Sequence, residues 1–136
     1  MDWQECCDKR IAKDVKLDLP LIASLIKSSA NKMKSENSLM ISEITAASKL
    51  SLAYDSLREL LEASALKKGY KIYNHECYTA FLKEVIGESV KGDEFDEIRK
   101  VRNAVNYYGK SISTEETTDI ILKIKNLRNF VNSLLK

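Results

Sequence analysis

Apolar residues recur along this chain every three or four positions, the spacing that lays one stripe along an α-helix. The pattern predicts a weak first helix from Trp3 to Val15, with Cys6, Cys7, Ile11 and Val15 as its apolar or small positions. Asp18 is placed to cap a second helix, and Pro20 falls in its first turn, where a missing N–H costs little. That helix's stripe reads Leu21, Leu25, Ser28 or Ser29, and Met33; the serines and Ala30 would let a neighbouring helix come close. A long third helix is predicted from Met40 to Lys68, where Gly69 stops it. Its stripe reads Ile44, Ala47, Leu50, Tyr54, Leu57, Leu61 and Ala65, with Arg58 and Glu62 able to pair on its exposed side.

Asn74 can cap a fourth helix that reaches Ile86 and stops at Gly87. Asp93 can cap a fifth that runs to Tyr108 and ends at Gly109, with Asp93, Glu94, Asp96 and Glu97 stabilising the positive end of its dipole. Ser113 and Glu116 form a capping box for the last helix, whose stripe is Ile120, Ile124, Leu127, Val131 and Leu134. Ile121 and Phe130 flank that stripe; they either complete the core or form part of a dimer face. The reading is all-α: a single-domain antiparallel helical bundle of five to six helices over residues 1–136, with residues 1–17 as an N-terminal helical extension.

Composition narrows the picture without redirecting it. A chain of 136 residues supports one core, and four glycines with one proline leave little room for many-turned β folds. Twenty-two basic against twenty acidic residues give a net charge of +2, which excludes a domain that holds phosphate backbones by charge alone. Three cysteines, Cys6, Cys7 and Cys77, make a poor disulfide framework and suggest a reducing compartment. The start, MDWQECCDKR, lacks the apolar segment of a signal peptide, and no apolar run approaches the roughly 20 residues that cross a bilayer. A cytoplasmic protein with no membrane association and no cofactor is expected.

One segment, VRNAVNYYG from Val101 to Gly109, is not explained by packing. On a helical wheel Phe95, Ile98, Val101, Val105 and Tyr108 share a face, and Arg102 falls inside that arc with Asn106 at its edge. A guanidinium there needs acceptors, since burying it unpaired is costly. It either makes a structural ion pair, to Glu59 or Glu62 on the long helix, or points into a groove between helices or subunits. Asn103, Asn106, Tyr107 and Tyr108 crowd the same helix end with groups that can bond to or stack on a nucleotide, and the tyrosines can equally pack there.

The segment AYDSLRELLEASALKKGYKIYNHECYTAFL followed by RKVRNAVNYYG resembles the HEPN superfamily, in particular its small archaeal-type members, over most of the chain from the second helix onward. The resemblance implies a helical bundle that dimerises. Members act as metal-independent RNases or as non-catalytic partners of minimal nucleotidyltransferases, in toxin–antitoxin or related defence settings. The family motif is an arginine, often with a polar neighbour, followed after four to six residues by a histidine, two such motifs facing one cleft. Arg102 matches the arginine and Asn103 the polar neighbour, but Tyr107, Tyr108 and Gly109 occupy the three registers of the histidine. Histidine titrates near about 6.5 and tyrosine near about 10, so an ordinary tyrosine is a poor base at neutral pH. The ligand-binding half of the motif is kept and its proton-transfer half is missing.

His75, the one histidine, is the remaining candidate for acid–base work. In YNHECY it sits at a helix start, where it either serves the turn structurally or is brought beside Arg102 by the fold. His75, Cys77, Cys6 and Cys7 lack metal-ligand spacing, so no metal site is expected. The expected function is binding of RNA or a nucleotide in a dimer cleft by Arg102, Asn103, Asn106, Tyr107 and Tyr108, with a nucleotidyltransferase as a possible partner. The alternatives are a metal-independent endoribonuclease using Arg102 with His75 or Tyr107 as catalytic residues, and a helical dimerisation module without a ligand.

Overall fold

A computed structural model describes residues 1–136. Its elements in chain order are α1 (Trp3–Asp8), β1 (Ala12–Asp14), α2 (Leu19–Ser38), α3 (Ala46–Lys67), β2 (Tyr70–Ile72), α4 (Glu76–Ala80), α5 (Ser89–Tyr108) and α6 (Thr114–Leu134). A single turn of π-helix, Phe81–Val85, continues α4. The fold is an all-α bundle carrying one two-stranded antiparallel ribbon. No helix is long and apolar enough to cross a membrane.

The bundle is arranged around α3. Fourteen of its twenty-two residues are buried, so it is covered on most sides by α2, α6, α5 and β2. Leu50, Tyr54, Leu57 and Leu61 meet Phe81, Phe95, Ile98, Ile124, Leu127 and Val131 in one continuous core. Small residues do set the α2–α3 approach: Ser29 Oγ donates to the Ser56 carbonyl at 2.6 Å, and Ser56 Oγ returns a bond to the Ser29 carbonyl at 2.8 Å. Asp18 caps α2 through the Leu21 N–H, and Ser113 caps α6 through the Glu116 N–H, as the sequence predicts. Arg58 and Glu62 pair at 3.0 Å.

Four expectations are corrected. The predicted helix from Trp3 to Val15 is a six-residue helix followed by a strand, because Ala12–Asp14 pairs with Tyr70–Ile72 across the sequence. The long helix starts at Ala46 rather than Met40: Thr45 Oγ1 donates to the Met40 carbonyl at 2.6 Å and accepts from the Ser42 N–H, local bonds that compete with helix formation. Ile44 and Ala47 are therefore exposed, outside the core stripe. The fifth helix starts at Ser89, after Gly87 closes the π turn at φ +81°, so Asp93 lies inside it and holds Lys83 at 2.8 Å. Finally, Cys6 and Cys77 are joined in a disulfide with Cα atoms 6.1 Å apart, leaving Cys7 free. The pairing follows from α1 lying on α4, with Trp3 packed against Tyr70 of β2 and Phe81 of the π turn, and the cysteine count no longer argues for a reducing compartment.

Ile121 is buried in the core and Phe130 packs against it, so neither forms an apolar face of its own. Tyr108, expected on the buried arc of the fifth helix, is 84% exposed because it lies in the last turn, beyond the reach of the core. The two ends of α5 thus differ sharply in energetic weight. Phe95→Ala is expected to lower unfolding free energy by about 3–5 kcal/mol in urea denaturation, and Tyr108→Ala to change it by less than about 0.5 kcal/mol. Equal effects would contradict this placement of the helix.

Candidate functional site

The α5 backbone carries Arg102 to the surface of α3 one turn beyond Ile98, which is fully within the core. The guanidinium does not pair with either carboxylate considered from the sequence. Glu59 is held by Lys32 at 2.8 Å, and Glu62 by Arg58 at 3.0 Å and Lys71 at 2.8 Å. Arg102 lies instead between two aromatic rings, with its guanidinium carbon 4.8 Å from the centre of Tyr54 and 5.1 Å from that of Tyr107. Its Nη1 donates to the Tyr107 hydroxyl at 2.9 Å and, more weakly, to Asn103 Oδ1 at 3.4 Å. Its Nε is buried and has no acceptor. The result is a cation fixed in place by neutral groups.

Tyr54, counted in the sequence only as a core residue of the long helix, is the centre of this arrangement. It is wholly buried, and its hydroxyl lies 2.9 Å from His75 Nδ1. One ring therefore touches both Arg102 and His75, and the fold brings the histidine within one side chain of the arginine. Asn74 Oδ1 accepts from the Glu76 N–H at 2.8 Å, so it is Asn74 rather than His75 that satisfies the start of α4. His75 is left free for the contact with Tyr54.

The other expected site residues divide. Asn103 and Tyr107 join Arg102 directly. Asn106 faces α3 instead, accepting from Ser51 Oγ at 3.2 Å. Tyr108 stands in solvent beside the group, without a partner among the protein's hydrogen bonds. Two further arginines lie on the same faces: Arg58, whose pairing with Glu62 the sequence predicts, and Arg99, which it did not single out. Arg58 pairs with Glu62, and Arg99 with Asp96 at 2.8 Å. Burial works against ionisation of Asp96, but bonds from Arg99 and Lys100 outweigh it and hold the carboxyl below its ordinary range. A polar cleft of about 530 Å³ is lined by Glu76, Thr79, Lys83, Asp93, Asp96 and Arg99.

Comparison with protein families, with curated proteins and with solved structures gives no match.

Burial is the main cause that pushes His75 down to about 4, with the positive charges of Arg58 and Arg102 adding to it and Asp55 opposing. Burial likewise pushes the Tyr54 hydroxyl above its ordinary range, with the arginines opposing. At neutral pH both groups are uncharged, and Arg102 carries a charge that no neighbouring carboxylate cancels. The arrangement favours an anion.

The pH dependence follows. An unfolded histidine titrates near about 6.5, and folded His75 near about 4. Between these values the unfolded chain holds more protons, so the contribution is complete above the upper value and is lost as pH falls through the window. Because His75 is the one histidine, its ring protons give an isolated NMR titration. The midpoint is expected near about 4; a midpoint at the free-histidine value would contradict the burial and charge argument.

Proposed function

We propose that this chain is a HEPN-like module that binds single-stranded RNA or a nucleotide through Arg102, and that it binds rather than cuts. The observation that carries the reading is the state of Arg102, a half-buried guanidinium with no carboxylate partner, clamped between Tyr54 and Tyr107. An arginine of this kind keeps its charge and its second terminal nitrogen, Nη2, for an oxyanion such as phosphate. Tyr107 and the exposed Tyr108 supply aromatic faces beside it, the groups on which unpaired bases stack.

Two observations favour binding over cleavage. His75 is kept uncharged well below neutral pH, so it is not the imidazolium that a general acid needs to protonate a leaving group. The Tyr107 hydroxyl, in the register of the missing histidine, accepts from Arg102. On this reading the protein acts as a homodimer with two arginines facing one cleft, and a minimal nucleotidyltransferase is its partner.

The test is binding of a short single-stranded oligouridylate in chelator, followed by fluorescence anisotropy and by product analysis. Arg102→Ala is expected to weaken binding at least about tenfold, the effect of losing one charge-assisted bond to phosphate, while circular dichroism stays unchanged. Neither protein should release products ending in a 2′,3′-cyclic phosphate. Unchanged affinity in a folded Arg102→Ala protein contradicts the reading, and cleavage by the wild type alone would replace it with the endoribonuclease.

A further inference from the structure

Tyr54 has a hydroxyl proton and one place to put it. The residue is wholly buried, and the only hydrogen-bonding partner of its hydroxyl is His75 Nδ1 at 2.9 Å. A buried hydroxyl donor left without an acceptor carries its full desolvation penalty. The bond therefore runs from the Tyr54 O–H to Nδ1, which must present its lone pair. In a neutral imidazole the proton then resides on Nε2. That nitrogen has no protein partner and is not buried, so it opens to solvent.

We infer that Tyr54 is a positioning residue that fixes His75 as an Nε2–H donor, so that an oxyanion at Arg102 meets a second, uncharged donor beside the guanidinium. This inference rests on the binding function proposed above and specifies its donor set. The same tyrosine ring lies under Arg102, so a single side chain sets the position of both ligand-facing groups. The charged surroundings agree with a neutral ring: Arg58 and Asp55 from α3, and Arg99 and Arg102 from α5, act on His75 together with its own burial, and the arginines dominate over the one acid. Tyr78, from the same helix, packs its ring 6.3 Å from the imidazole and brings no charge at neutral pH.

The arrangement also explains why the site binds instead of cleaving. A general base needs a free lone pair facing the substrate, and the lone pair of His75 faces inward to Tyr54. What faces outward is a proton. Recognition is then selective for acceptors, as in phosphate oxygens, over groups that can only donate.

The deciding experiment is a long-range proton–nitrogen NMR correlation of the imidazole in the unmutated, ligand-free protein at neutral pH. The expected pattern places the proton on Nε2 and an accepting lone pair on Nδ1. A proton on Nδ1 would overturn the inference, because the outward nitrogen would then be a base. Binding of the same oligouridylate supplies the second arm. Tyr54→Phe keeps the ring under Arg102 and removes only the hydroxyl, and it is expected to admit a minor Nδ1–H population and to weaken binding about twofold, less than loss of the ring. His75→Ala is expected to weaken it about tenfold, and His75→Gln, which restores an N–H donor, to recover most of that loss. Full affinity in both Tyr54→Phe and His75→Ala, with Arg102→Ala still impaired, would overturn the donor role of His75 and leave the binding function standing. No binding by the wild type would overturn both.

Discussion

Most polar side chains buried on α3 find a partner on whichever element covers them, Ser64 Oγ being the exception, and the packing of the bundle follows from that constraint. Fourteen residues of the helix are buried, too many for a simple apolar stripe, so several of them are polar. Lys49 donates to the Glu36 and Leu39 carbonyls and pairs with the Glu36 carboxylate at 3.0 Å, which fixes the end of α2. Ser56 and Ser29 exchange bonds at the middle of the same interface, and Glu59 reaches Lys32 one turn later. Tyr54 obeys the same rule on the opposite side, toward α4, and its partner is the single histidine. A buried group with a good partner costs little, whereas the same group alone costs a large part of a small domain's stability. The candidate site is thus an extension of how α3 satisfies its polar groups.

Four arginines show how differently one residue type can be used. Arg58 and Arg99 are neutralised by Glu62 and Asp96, and their charge is largely committed within the protein. Arg128 reaches into the Ser29–Ser56 contact, donating from Nε to Ser56 Oγ at 2.8 Å, and burial alone lowers its affinity for its proton. Its partners are hydroxyl groups that tie α6 to the α2–α3 pair, which accounts for it structurally. Arg102 has neither a carboxylate nor a buried polar notch. Aromatic faces hold it, and they attract a cation without cancelling its charge toward a ligand. The buried Nε without an acceptor is an uncompensated cost retained at that position alone among the arginines. Preorganisation of this kind reduces what a ligand must spend on ordering the site.

Much of this architecture was legible in the chain because it is written in local periodicity and capping. α2 and α6 begin where Asp18 and Ser113 place them, and Gly69, Gly87 and Gly109 mark three stops with positive φ. What was not legible depends on partners far away in sequence. The β1–β2 ribbon and the Cys6–Cys77 bond join segments about half the chain apart, and no local pattern encodes them. The start of α3 was misplaced because Ser42 and Thr45 bind the backbone in competition with a helix that apolar spacing alone would continue. At the site, Arg102, Asn103 and Tyr107 were visible as one crowded turn, and the structure does bring them together. Tyr54 was hidden in plain view: a tyrosine in an apolar stripe reads as core, and only the fold reveals that its hydroxyl and its ring face go to two different functional groups.

In the proposed function Arg102, held by Tyr54, is the group that meets the anion, a role that binding in solution can report. It is tested most directly by following the arginine side-chain nitrogen resonances while a short oligouridylate is titrated into the unmutated protein. Saturable shifts in Arg102 are expected at the concentrations where binding occurs, with Arg128, a second arginine lacking a carboxylate, unmoved. Saturable binding that leaves the Arg102 resonances in place, or that moves Arg128 instead, would contradict it.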